Sequence, residues 1–367
     1  MIQLNIDCEG PITQNDNAFE LCREFIPGGD RFFAIVSKYD DFLADVEKRP
    51  GYKAGDTLKL VLPFLKAYGV TDRLMEEFSQ RTLLMLPGTE LMLPEVSRTL
   101  PSFIISTSYR PYLEALCHAT GFPLENVFCT DVNLDKYELK PEESAYLKRT
   151  AEEIAGMEMI HWPEHAAGVN DLSAGHRETI ERLEQIFWQE ISGMDIGRIF
   201  REINPIGGVE KASAVKESLN RTGLGLKDVI YAGDSITDVQ ALELVNSGGG
   251  TAVSFNGNGY AVRAARWAVL STSTLVIAGL CRLLLERGRD FLENMPVGSR
   301  GELDPVSLVR EMKAAGTSID ISAGLDELLE RGELHIFKVE ASEQEGLIRE
   351  SEKMRKSVRG HGIGILG

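Results

Sequence analysis

Clustered positive charge is missing from this sequence: 39 Lys and Arg stand against 56 Asp and Glu, for a formal net charge of −17. Generic nucleic-acid binding requires Lys and Arg gathered against phosphates, so this balance excludes it. The acidity reads instead as a solubility feature. Cysteines are few and lack obvious partners. The five (Cys8, Cys22, Cys117, Cys129 and Cys281) are odd in number, widely spaced and never in a CxxC pair. That excludes a disulfide frame or a thiolate zinc site and points to free thiols in a reducing compartment. Long apolar runs are also lacking. The longest, 275–285, is interrupted by Arg282 and falls short of the roughly 20 residues of a membrane span, so it reads as a buried helix. No basic segment followed by an apolar stretch opens the chain. The expectation is a cytoplasmic protein with no membrane insertion. No internal repeat stands out.

What is present is ordinary globular material, 43% hydrophobic and 26% charged. At 367 residues the chain exceeds what one core usually supports, which implies two or more compact units. A mostly apolar run, 1–6, ends on Asp7, followed closely by Glu9, Gly10 and Pro11. A buried strand that delivers carboxylates and then breaks into a turn is how an open α/β sheet places chemistry at its carboxyl edge. Two acids one residue apart mean little alone; their weight depends on what else meets them.

Residues 14–85 carry helical patterns at 19–26, 32–46 and 58–68, with apolar residues three and four apart. Asp56 and Thr71 are candidate N-caps. Short strands then alternate with helices: 102–106, 126–130, 228–233, 251–255 and 267–270 read as strands of a parallel sheet. The division that follows is an α/β core of 1–13, 86–135 and 205–290, a helical cap at 14–85 and a helical insertion at 136–204. A C-terminal extension, 291–367, carries amphipathic helices near 306–315 and 343–355 with a strand-like LHIFKV between them.

Three more element ends carry polar groups. Ser106 and Thr107 close the apolar FIIS run, Lys211 sits in the first turn of a helix after Gly207-Gly208, and Asp234 and Asp238 lie in GDSITD. Parallel strands deliver their carboxyl ends to one edge, so Asp7, Ser106 and Asp234 should converge. Carboxylates around a cation, with a hydroxyl and an ammonium nearby, suit phosphoryl transfer, and Mg²⁺ is the natural metal.

In order, DCEG, FIIS, the Lys of GGVEKASAV and AGDSITD resemble the four motifs of the haloacid dehalogenase (HAD) superfamily. The LPG before the second motif and the KASAVKESL helix look like its phosphoserine-phosphatase branch. The resemblance implies an α/β fold: a HAD-like, Rossmann-like three-layer core on a parallel sheet, with a helical cap and an additional helical insertion. It implies that Asp7 is the nucleophile, that Ser106 binds phosphoryl oxygens and that Lys211 neutralises charge. Asp7, the backbone carbonyl of Glu9, and Asp234 would bind Mg²⁺, with Asp238 supporting them. One departure stands out. Where the family's phosphatases carry Asp as general acid and base, this chain has Glu9. The carboxylate is kept but displaced by up to ~1.5 Å, and a misplacement of about 1 Å can cost on the order of 100-fold.

The implied activity is Mg²⁺-dependent hydrolysis of a small phosphorylated metabolite through an aspartyl-phosphate. The alternative is a non-catalytic or regulatory protein that reuses the fold. The DxEGP form of the first motif, the insertion and the extension resemble an archaeal group labelled energy-converting hydrogenase A subunit R, although no redox-cofactor ligand cluster is visible. A protein partner would dock through 136–204 or 291–367. Other signals carry less. His161-Trp162-Pro163-Glu164-His165 matches the HxxEH zinc pattern, but Pro163 would disrupt the helix that pattern needs. Asn256, in NGNG after a strand, either contacts substrate or makes an ordinary turn. Lys140 competes with Lys211 from a poorer context, and the basic run 353–359 reads as a solvated helix face.

Overall fold

The computed structural model describes residues 1–163 and 165–360. Seven strands form one sheet: β1 (Gln3–Ile6), β2 (Ser102–Tyr109), β3 (Val127–Thr130), β4 (Val229–Gly233), β5 (Thr251–Phe255), β6 (Trp267–Ser271) and β7 (Leu334–Lys338). Their spatial order is β3-β2-β1-β4-β5-β6-β7. The first six run parallel and β7 pairs antiparallel with β6. Strands β2, β4, β5 and β6 are buried along their whole length, as expected for a sheet covered on both faces. Helices Thr89–Thr99, Arg110–Thr120 and Leu275–Arg287 cover one face. Val209–Thr222 and Val239–Ser247 cover the other, completing three layers. The run at 275–285 is indeed a buried helix, and no helix among the described residues is long and apolar enough to cross a membrane.

Strand β1 shows how local sequence sets up the site. Leu4 and Ile6 point into the main apolar core, whereas Gln3 and Asn5 face the other way and are fully buried. Buried amides need partners. Gln3 Nε2 and Asn5 Nδ2 each donate to Ser218 Oγ at 2.8 Å, and Thr222 Oγ1 donates to Gln3 Oε1 at 2.7 Å. These bonds pin helix Val209–Thr222 to β1. Lys211 lies two turns before Ser218 on the same helical face, so the pin aims it at the carboxyl end of β1.

After β1 the chain turns through Gly10, whose φ of 101° suits glycine, and enters the cap at Gln14. It returns at residues 84–86, where Gln14 N donates to Leu84 O and Leu86 N to Ile12 O, both at 2.9 Å or less. Between these crossings lie helices Asn17–Phe25, Gly29–Asp41, Thr57–Ala67 and Asp72–Thr82. Thr71 caps the last of them through Leu74 N, and Asp16 caps the first through Phe19 N. Asp56 stands at an N-cap position but makes no capping bond; Lys53 and Lys59 hold it instead.

Two of the expected boundaries dissolve. Residues 14–85 and 136–204 share one apolar cluster, in which Phe32 packs on Phe64 at 4.8 Å and Phe64 on Phe187 at 6.1 Å. Each set of amphipathic helices buries its apolar face against the other, so cap and insertion form one body. The extension, in turn, belongs to the core. Helices Pro305–Ala314 and Ile319–Arg331 join the main cluster through Leu308, Met312 and Leu325, and β7 completes the sheet. Helix Ile319–Arg331 was not expected from the sequence. The last described helix, Gln344–Arg359, seats Leu347 and Ile348 on Val262, Leu270 and Phe337.

Candidate active site

Strand β1 lies between β2 and β4, so the chain departs from it in both directions and leaves a crevice at the carboxyl edge. Ile6 is in register with Ile104 and with Ala232. Asp7 therefore emerges between β2 and β4, with Ser106 and Asp234 one residue beyond its level on either side. The crevice opens into a cleft between core and cap, lined by Asp7, Glu9, Asp16, Asp40, Asp41 and Asp234 among others.

Lys211, fully buried, donates to Asp7 Oδ2 at 2.6 Å and to Asp238 Oδ1 at 2.8 Å. Asp238 has further donors: Tyr231 Oη at 2.7 Å on Oδ1, and the Asp234 and Ser235 amides at 3.0 and 3.1 Å on Oδ2. Burial would raise Asp238, but Lys211 and these donors hold it below its ordinary value. Asp7 shares the same ammonium, and among the described residues its other oxygen takes the Cys8 amide alone, at 2.7 Å. Burial raises it well above the carboxylate range, against the pull of Lys211, and the charges of Asp238 and Asp234 add to the rise. Burial alone would lower Lys211, yet the two carboxylates keep it above its ordinary value.

Asp7, Asp234 and Asp238 each offer an oxygen within 4.8 Å of the others. A set of hard carboxylate oxygens suits a divalent cation such as Mg²⁺. Asp238 is the most heavily bonded of the three, with donors on both oxygens from Lys211, Tyr231 and the Asp234 and Ser235 amides. Asp234 is not idle, however. Its Oδ2 accepts from Nη1 of Arg355 and, at 2.9 Å, from Nη1 of Arg359. Both arginines come from helix Gln344–Arg359 and are 3% and 9% exposed. The expectation of a solvated face at 353–359 is thus overturned: its arginines enter the centre of the cleft. The missed signal is a four-residue spacing, since Leu347, Ser351, Arg355 and Arg359 continue one buried stripe.

The remaining candidates are placed as follows. Glu9 Oε1 accepts from Asn17 N at 2.8 Å, at the start of the first cap helix. Burial and the neighbouring Asp16 push Glu9 up to about 8, while Arg359, the Asn17 amide and the Ser108 hydroxyl draw it down. Ser106 is buried, and its Oγ accepts from Ser108 N at 3.2 Å. Thr107 lines the cleft, but its hydroxyl donates to Ile206 O at 3.0 Å. Asn256 does not join the cleft. Its amide bonds both backbone groups of Ser271, at 2.7 and 2.9 Å, tying the end of β5 to the end of β6. It adopts φ 47°, a turn conformation that asparagine tolerates. Lys140 pairs on the surface with Asp195. Of the HxxEH pattern, Glu164 lies outside the described residues; His161 and His165 are exposed and residues 161–163 form a surface loop, where His161 packs on His176 at 5.7 Å and the half-buried Trp162 on Phe42 at 5.9 Å.

Residues 117–278 match the model of the haloacid dehalogenase-like hydrolase family. The parallel sheet and the order of the four motifs agree with that match. Over its full length the chain is similar to the structure of gene product AF1437 from Archaeoglobus fulgidus, with 25% identity, 100% of this chain and 99% of that one covered, and a TM-score of 0.77. A HAD family hydrolase from Salmonella enterica serovar Typhi is a weaker likeness (12% identity, 70% and 63% covered, TM-score 0.41). So is a phospho-aspartyl intermediate analogue of phosphoserine phosphatase (12%, 72% and 90% covered, TM-score 0.42). The comparison with curated proteins gave no match.

Proposed function

We propose that this HAD-type hydrolase is a divalent-cation-dependent phosphatase that acts on a small phosphorylated metabolite through an aspartyl-phosphate on Asp7. The observation that carries the reading is the single ammonium of Lys211 bonded to both Asp7 and Asp238, beside Asp234. Burying two carboxylates on one lysine is costly for a purely structural purpose. The same arrangement is what a phosphoryl group and its counter-charges require.

In the proposed reaction a carboxylate oxygen of Asp7 bonds to phosphorus as the ester oxygen departs with a proton from Glu9. Glu9 then takes a proton from water, whose oxygen breaks the acyl-phosphate and restores Asp7. Lys211 holds Asp7 in place and offsets its charge, while Ser106 donates to the phosphoryl oxygens. Mg²⁺, held by Asp7, Asp234 and the Glu9 carbonyl, would supply charge neutralisation, and Asp238 keeps Lys211 and the Asp234 turn in position. The cap would exclude water and select the leaving group.

The test is hydrolysis of p-nitrophenyl phosphate by the purified chain with Mg²⁺. Asp7→Asn should abolish turnover, by on the order of 10³-fold or more. No turnover across a broad panel of metabolite phosphates, with Mg²⁺ bound, would overturn the reading. One observation favours the alternative of a non-catalytic chain: Asp234 is already neutralised by two guanidinium groups.

A further inference from the structure

The position of those guanidinium groups is informative. The Asp234 oxygen they share, Oδ2, faces the turn after Asp7: a Cβ built on Gly10 would fall 2.2 Å from it. Asp234 also stands within 4.8 Å of Asp7 and Asp238, counting one oxygen from each. Both arginines are anchored there by more than the carboxylate. Arg355 Nη1 also donates to the Asp234 carbonyl at 3.2 Å, and Arg359 donates to the carbonyls of Gln14 and Asn15 at 3.0 and 2.9 Å. One turn before Arg355, Ser351 Oγ donates to Gly257 O at 2.7 Å. Helix Gln344–Arg359 is therefore seated by an apolar stripe at its start and by polar contacts to the crevice over its last three turns.

We infer that Arg355 and Arg359 act as a built-in counter-ion that competes with a divalent cation for Asp234. This rests on the proposed cation dependence. The competition is electrostatic: two buried guanidinium groups already offset the Asp234 charge that a cation would otherwise meet. A buried carboxylate stripped of every partner would be strongly unfavourable, so the arginines keep the motif intact whenever no cation is held. Binding of the cation must in turn weaken the hold of the arginines, since coupling between two sites is reciprocal. Arg359 also grips the entry to the cap, so the same exchange would be felt at the crossing between core and cap.

The experiment is a titration of Mn²⁺, followed by loss of the free-ion paramagnetic resonance signal, into the full chain and into the R355Q/R359Q variant. The variant should bind Mn²⁺ more tightly by roughly 5- to 150-fold, the usual range for coupled sites. Equal or weaker binding by a folded variant overturns the inference. If that variant does not fold, hydrogen exchange on the unaltered chain decides. Amides of 351–360 should exchange faster at saturating Mn²⁺, and unchanged or slower exchange overturns the inference. Equal Mn²⁺ affinity in the two proteins alongside cation-dependent turnover would sink only this inference. No Mn²⁺ binding by either protein would sink the cation-dependent function as well.

Discussion

Glu9 Oε1 lies 2.8 Å from the amide of Asn17, so the second carboxylate of the first motif is fastened to the first helix of the cap. The bond fills one of the donor positions that a helix N-terminus leaves open, where a negative charge is favoured. The extra methylene of Glu, relative to the aspartate usual in such phosphatases, is what spans this gap. Glu9→Asp should therefore lose the contact and lower kcat by about 10- to 100-fold. Steady-state kinetics on an aryl phosphate check this, and a gain in rate would show that the longer side chain is a handicap.

Lys211 is the one ammonium between Asp7 and Asp238 and has no exposed surface. Lys211→Met would leave two buried carboxylates sharing no cation. Removing one partner of a buried pair costs about 3–5 kcal/mol, so urea denaturation should show a loss of that size. Adding Asp238→Asn should recover part of it, because one of the stranded charges is then gone. Stability unchanged in the single variant would show that water or another cation already serves these carboxylates.

Glu293 offers a pH-dependent test away from the cleft. It accepts from Arg266 at 2.9 Å and pairs with Lys338 at 3.1 Å, joining helix Arg289–Glu293 to the residue before β6 and to the last residue of β7. Its hydrogen bond with Arg266 is the largest influence on its pKa; burial opposes it, the hydrogen bond with Lys338 adds to it, and together they lower the value from 4.5 to about 2. A depressed carboxylate stabilises the fold above its unfolded value and loses that contribution as pH falls through the folded one. Glu293→Gln should thus cost on the order of 1 kcal/mol or less at pH 7, after solvent screening, with the difference closing between pH 4.5 and 2. Melting curves across that range measure it.

The sheet and its carboxyl edge were readable because parallel strands advertise themselves. FIIS, DVIYAG and TAVSF are near-continuous apolar runs that end on Ser106, Asp234 and Asn256. Lys211 was readable from the glycine pair ahead of its helix. What stayed hidden is pairing at long range. Nothing in the stripe of Phe32 and Phe64 says that Phe187, in another segment, will meet it. Asn256 looked available because a turn after a strand is also where ligands bind; only the register of β5 against β6 shows its amide spent on Ser271. Arg355 and Arg359 were hidden by composition. Basic residues near a chain end are ordinarily solvated, and only the buried positions before them on the helix mark these two as inward-facing.

The grip of Arg359 on Gln14 joins residues 345 apart along the chain. Contacts that close long loops form late in folding, because the entropy of closure must be met before the contact returns anything. During synthesis Asp7 and Asp234 both emerge before Arg355 and Arg359, so these carboxylates exist for a time without their guanidinium partners. Over that interval, ambient cations are the counter-charge at hand for Asp234, and the order of synthesis gives the metal first access to a carboxylate that the finished protein guards.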